Sequence, residues 1–117
     1  MLLLSLVLLG SGHRPAADLE LGKKIYFKRC KVCHGVRGNS NAFAASVLNP
    51  PPRNFTGEQS LKELTPERMI RSVTRGRAGT AMMPWKDILT ADEIQAVVYY
   101  ISRTFMGLAA PAGEVKR

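Results

Sequence analysis

Cysteine is nearly missing from this chain: its 117 residues include two, Cys30 and Cys33. Whatever those two do, no thiol is left for a disulfide elsewhere or for a second site. Histidine is equally scarce, with His13 and His34 alone. The apolar run from Leu2 to Leu9, broken only by Ser5, falls well short of the roughly 20 residues that a membrane-spanning helix needs. No good strand run, internal repeat or second domain is visible. There is no Ser-His-Asp arrangement, phosphate-binding glycine loop or carboxylate pair, so hydrolytic and transfer chemistry lack their usual equipment. Acidic residues are in deficit, 9 against 17 lysines and arginines.

What is present centres on Cys30-Lys31-Val32-Cys33-His34. This is C-x-x-C-H, the attachment signature of c-type haem. Two thiols three residues apart in a helical turn can reach the two vinyl groups on one edge of the macrocycle, and the following residue then projects its imidazole toward the iron. A redox dithiol would normally accompany a βαβ pattern. A zinc site would need four ligands, with His13 the only other histidine to supply one. Haem attachment is the reading that uses every residue of the motif.

Three stretches carry a family resemblance. The first is Gly22 to Cys30, with a glycine eight residues and an aromatic, Tyr26, four residues before the first cysteine. The second is Gly79-Thr80-Ala81-Met82-Met83-Pro84-Trp85. The third is Asn49-Pro50-Pro51-Pro52-Arg53-Asn54-Phe55-Thr56. Together with the cysteine motif they resemble the small, single-haem, class I cytochromes c, over roughly Asp18 to Phe105. The resemblance implies an all-α fold, three to four helices wrapped around one covalently bound haem c.

It also implies roles for individual residues. Gly22 would allow close helix crossing, with Tyr26 meeting Tyr100 of the last helix. Cys30 and Cys33 would anchor the haem, with His34 as one metal ligand and a methionine as the other. The family pattern is Gly-Thr-x-Met-Pro-x-aromatic, and here two methionines precede the proline. Counting from Gly79-Thr80, or back from Trp85, selects Met82; counting from Pro84 selects Met83. Met82 is favoured because two anchors agree. A proline carbonyl, of Pro51 or Pro52, would accept a hydrogen bond from the second ring nitrogen of His34. Arg53 would then be placed to bind a haem propionate through its planar fork. Trp85 would either donate its indole N–H to a propionate or pack on the ring edge.

Periodicity and capping signals locate the helices. One is expected from Asp18, as a cap, to Val32. A second should open at Thr65-Pro66-Glu67 and stop at Gly76. A third should open at Thr90 with the capping-box spacing to Glu93, its stripe made of Ile94, Val97, Val98, Ile101 and Phe105. A short helix near Ala42 to Leu48 is possible. Residues 18–106 form the cytochrome domain, and 107–117 read as a flexible tail. Such a small domain has limited core, and the haem would supply much of the apolar surface to be covered.

Residues 1–17 read as a secretory signal or an uncleaved anchor. The lack of Lys or Arg before Leu2 is abnormal for a signal, and a start further upstream would explain it. The resemblance requires export too, since haem is attached to such proteins outside the bacterial inner membrane. A periplasmic location follows. The net charge of +8 gathers near the attachment segment (Lys23, Lys24, Lys28, Arg29, Lys31, Arg37) and the methionine loop (Arg71, Arg75, Arg77). Such a rim would steer docking to an acidic redox partner. Anionic lipid headgroups are a secondary contact; nucleic acid is a poor one, with no recognition motif. The expected function is one-electron transport without substrate chemistry. The expected form is a monomeric carrier or a haem subunit of a larger respiratory complex. A ligand-binding or peroxidase-like haem protein would need an open iron position, against which the methionine loop argues.

Overall fold

The computed structural model describes residues 15–108, which leaves out all but the last three residues of the leader, His13, and all but the first two residues of the tail. The described residues are helical, without strands: α1 Pro15–Ile25, a π-helical turn Tyr26–Cys30, α2 Lys31–His34, α3 Phe43–Val47, α4 Glu58–Glu63, α5 Pro66–Arg75 and α6 Ala91–Thr104. None of these helices is long and apolar enough to cross a membrane.

The first helix begins earlier than its sequence suggests. It already includes Pro15, so Asp18 lies in its first turn rather than at the cap. The path then continues past Val32 to His34, interrupted by the π-helical turn. There the N–H of Lys31 reaches the carbonyl of Tyr26, five residues back. Such single wide turns occur inside helices, often at functional sites. This one has the buried Tyr26 at its start and Cys30, on the wall of the central cavity, at its end.

The later helices follow their signals. Thr65 caps α5, its hydroxyl accepting from the N–H of Arg68 at 3.1 Å, and Gly76, at φ 70°, stops it. Thr90 and Glu93 form a reciprocal capping box on α6, at 3.1 and 3.0 Å. The helix α4 is new: six residues behind Gly57, without a side-chain cap, too short to leave a periodic trace.

The core lies where α1 packs against α6, with α5 against the other flank of α6. More than a stripe of α6 is buried, since Ala96, Tyr99, Tyr100 and Ser102 join the expected apolar positions. The crossing is tight at Gly22. A Cβ there would overlap the carbonyl of Ala96 and lie 2.7 Å from the Cβ of Tyr100. One turn on, the Tyr26 ring is fully buried, 5.6 Å from the Tyr100 ring and 5.1 Å from that of Phe105. Its hydroxyl donates to the carbonyl of Gly35 at 2.6 Å. Burial raises the Tyr26 pKa far above the usual phenol value, so the group stays a donor. Tyr26 thus ties the core to the turn that follows His34. At the far end, Leu108 packs on the core and bonds back to Ser102.

Two outcomes follow for the haem-loaded protein. Gly22→Ala should destabilise it by about 1–3 kcal/mol, as overpacking does, read as a lower urea midpoint; an unchanged midpoint would show that the crossing relaxes freely. Tyr26→Phe removes one of two donors to the buried Gly35 carbonyl, which keeps the N–H of Gly38 at 3.1 Å, and should cost about 0.5–1.5 kcal/mol in the same assay.

Candidate haem site

A cavity of about 730 Å³ opens between the α1–α2 limb, the proline loop, α5 and the methionine loop. Cys30, Cys33 and His34 line one wall, and Met82, Met83 and Trp85 come to it from the methionine loop. Pro50, Pro51, Pro52 and Arg53 also reach it. Every residue expected at the site therefore meets in one place. The lining is largely apolar, with Phe55, Leu64, Met69 and Val73 contributing.

His34 is the most constrained of these groups. Its ring stacks on Phe55 with centroids 4.6 Å apart and planes 22° from parallel. Its Nδ1 lies 3.0 Å from the backbone carbonyl of Arg53. A carbonyl only accepts, so Nδ1 carries the proton and Nε2 keeps a free lone pair. Burial lowers the pKa of the imidazole, partly opposed by that hydrogen bond. A neutral ring with one nitrogen occupied is the form that ligates a metal.

The carbonyl is a correction to the sequence reading, which pointed to Pro51 or Pro52. Pro52 presents its oxygen instead to the Ser40 hydroxyl, at 2.9 Å, and the bond to His34 falls one residue later. The Arg53 side chain also has a partner that sequence inspection missed. Its Nη1 donates to Glu63 Oε2 at 2.9 Å, with Gln59 donating to the other oxygen at 3.0 Å. These donors, Gln59 first, hold the Glu63 carboxyl below its ordinary pKa. The pair is solvent-exposed, so its worth to stability is small.

The two methionines separate clearly. Met82 is half-buried and packs against the core, whereas Met83 is 44% exposed. The loop is held by its own backbone: the N–H of Arg77 meets the carbonyl of Met82 at 3.0 Å, the Thr80 hydroxyl accepts from the Met82 N–H at 3.1 Å, and the N–H of Trp85 bonds to Val73 at 2.9 Å. Trp85 is half-buried, and the Arg29 guanidinium lies 5.9 Å from its ring centre. As free thiols, Cys30 and Cys33 sit half-buried; burial, then the neighbouring Cys33, pushes the Cys30 thiol up to about 12.

The arrangement suits a flat, apolar, covalently tethered macrocycle. Thiols stand at one edge, a ligating imidazole is held by stacking and a hydrogen bond, and the walls are apolar. It does not suit zinc: among the described residues no three His, Cys, Asp or Glu side chains converge to hold a metal ion.

Known proteins bear this out. Residues 19–105 match the family model for cytochrome c. The chain is 30% identical over 92 residues to the chloroplastic cytochrome c6 of Chlamydomonas reinhardtii, covering 79% of this chain and 58% of that protein. It is 32% identical over 96 residues to the nitrite reductase of Stutzerimonas stutzeri, covering 76% of this chain and 16% of that protein. It thus spans only part of the length of both curated relatives. Among solved structures, KustC0563 c-type cytochrome superposes with a TM-score of 0.60 at 31% identity, over 71% of this chain and 95% of that one. A chain of the Kuenenia stuttgartiensis reducing HAO-like protein complex Kustc0457/Kustc0458 gives 0.62 at 27% identity, over 83% of this chain and 48% of that one. The matched residues include the C-x-x-C-H turn, the proline loop and the methionine loop that enclose the cavity, and on them the chain belongs to the cytochrome c family, whose haem c is covalently bound.

Proposed function

We propose that this protein carries single electrons between redox proteins outside the cytoplasm, with His34 and Met82 as the two axial ligands. Haem c, when bound, supplies one-electron cycling between ferric and ferrous iron. The observation that carries the reading is a neutral, hydrogen-bonded His34 on the same cavity as a half-buried Met82 that packs on the core. With His34 and Met82 both holding the iron, no position would be left for a substrate. A soft thioether paired with an imidazole would favour a high reduction potential.

The remaining residues orient and shield. Cys30 and Cys33 hold the haem edge. The Arg53 backbone fixes the His34 tautomer. The Arg53 guanidinium has donors beyond the one given to Glu63, and these serve a propionate. Trp85 closes the cavity, its indole N–H available to a propionate or its ring to the haem edge. The apolar Leu2 to Leu9 run supports export to the periplasm, and the excess of basic residues supports an acidic redox partner.

A second reading, a haem c subunit of a larger respiratory complex, draws support from the relatives in which a comparable segment forms only part of the protein. Purification of the exported protein separates the two readings. A monomer with its leader removed favours the free carrier, and co-purification with a membrane complex favours the subunit.

The oxidised absorption spectrum of haem-matured protein tests the ligand set. The weak red charge-transfer band of an iron–methionine bond should be present, lost in Met82→Ala and kept in Met83→Ala. The reverse pattern would make Met83 the ligand. A high-spin wild-type spectrum would mean an open iron and point to ligand-binding or peroxidase chemistry. Removal of the haem is expected to unfold the chain: a Cys30→Ser, Cys33→Ser double variant should lose most of its far-UV circular dichroism, and full native helicity would contradict that.

A further inference from the structure

From Leu21 to Gly57 the chain contains no aspartate or glutamate and seven lysines and arginines. The same segment carries the least buried apolar side chains of the described residues. Val32 is 64% exposed, Val36 57%, Phe43 86% and Val47 69%, whereas no other large apolar side chain among the described residues reaches half. They sit on α2, on α3 and on the turn between, and α2 packs against α3. Val36 and Arg37 share a small hollow of about 190 Å³ with Asn39 and Asn41. Scattered exposed apolar residues need no explanation, but a group of them in a segment that carries only positive charge does.

We propose that α2 and α3 form the docking surface for an acidic electron-transfer protein, with Phe43 as its apolar anchor. This rests on the electron-carrier reading and adds where the partner sits. Two features select the occupant. An acid-free, basic surround of Lys28, Lys31 and Arg37 calls for carboxylates opposite, which steer the encounter without paying for buried like charges. Val32 lies inside the attachment motif, next to Cys33, so a partner resting there is one residue from a haem tether. An exposed aromatic such as Phe43 is the side-chain type that carries binding energy in protein interfaces.

Stopped-flow reduction of the ferric, haem-loaded protein by reduced flavodoxin, an acidic one-electron donor, tests the surface. The wild-type second-order rate should fall steeply with added salt. Phe43→Asp and Val47→Asp should each lower it about tenfold at low salt, while Phe43→Leu keeps most of it. Leu61→Asp, on the exposed side of α4, should change it far less. An equal loss in Leu61→Asp would reduce the effect to net charge and overturn the proposal, as would no loss in Phe43→Asp. So would an unchanged flavodoxin rate with lost sedimentation on phosphatidylglycerol vesicles, which would assign the surface to lipid. Hexaammineruthenium(II), a small reductant needing no docking surface, should reduce all variants equally. Failure of the wild type with that reagent would instead reject the electron-carrier reading itself.

Discussion

The missing side chain at Gly22 is the constraint on which the rest depends. Where α1 crosses α6 there is no room for even a methyl group, because the Ala96 carbonyl occupies its place. That close approach sets how deep α1 lies. It brings Tyr26 fully into the core against Tyr100 and Phe105. From there the π-helical turn carries the chain to Cys30 and the attachment motif. Only two residues separate Cys30 from Cys33, so a shift of the crossing would be transmitted to both thiols and the imidazole together. The Tyr26–Gly35 hydrogen bond then fastens the far side of the motif to the same core. A polar link inside an apolar core is costly to leave half-made, which makes it a positional device as much as a stabilising one.

The second layer of the site distributes its work unevenly. The bond from His34 to the Arg53 carbonyl is part-buried and fixes a tautomer, with Phe55 limiting ring rotation. The Arg53–Glu63 pair is exposed, and its electrostatic gain is largely screened. Its value lies in holding the residue whose carbonyl faces His34. Two other contacts hold the same loop: the N–H of Phe55 bonds to Gly38, and Ser60 donates to the carbonyl of Asn54. With the Ser40 hydroxyl on the Pro52 carbonyl, the loop between the prolines and α4 is pinned on both sides of the ligand contact. That is the arrangement expected where a metal ligand must keep one orientation through a change of metal charge.

The sequence was most legible where a single residue type is required by chemistry or by backbone geometry. Cys30, Cys33 and His34 are such residues, and so are Gly22, Gly76 and the Thr90–Glu93 box. The structure places the three motif residues on one cavity wall, packs the Ala96 carbonyl against Gly22, ends α5 at Gly76 and closes the Thr90–Glu93 box. Motif spacing favours Met82, and of the two methionines on the cavity it is the less exposed. What escaped was whatever depends on chain direction rather than residue type. Every residue owns a carbonyl, so nothing in the letters distinguishes the oxygen of Arg53 from those of Pro51 and Pro52. The Glu63 partner lies ten positions from Arg53, across a helix too short to show a period. Phe55 could have been singled out as the lone aromatic of the proline loop, but stacking on His34 needs the fold to become visible.

A carrier faces opposing demands, because its partner must bind quickly and leave quickly. Long-range charge raises the encounter rate without deepening the bound state much, and salt screens it at distances of about 8–10 Å. Buried apolar area does the opposite, slowing departure with little effect on encounter. A few valines and one phenylalanine, set among basic residues and without acids, combine a small amount of the second with much of the first. A wider apolar face would hold the partner longer than one electron requires. A purely basic face would leave the orientation loose, and the distance to the haem tether at Cys33 undefined. The balance between the two is therefore itself a functional property of the α2–α3 surface, separate from the ligands that set the chemistry of the iron.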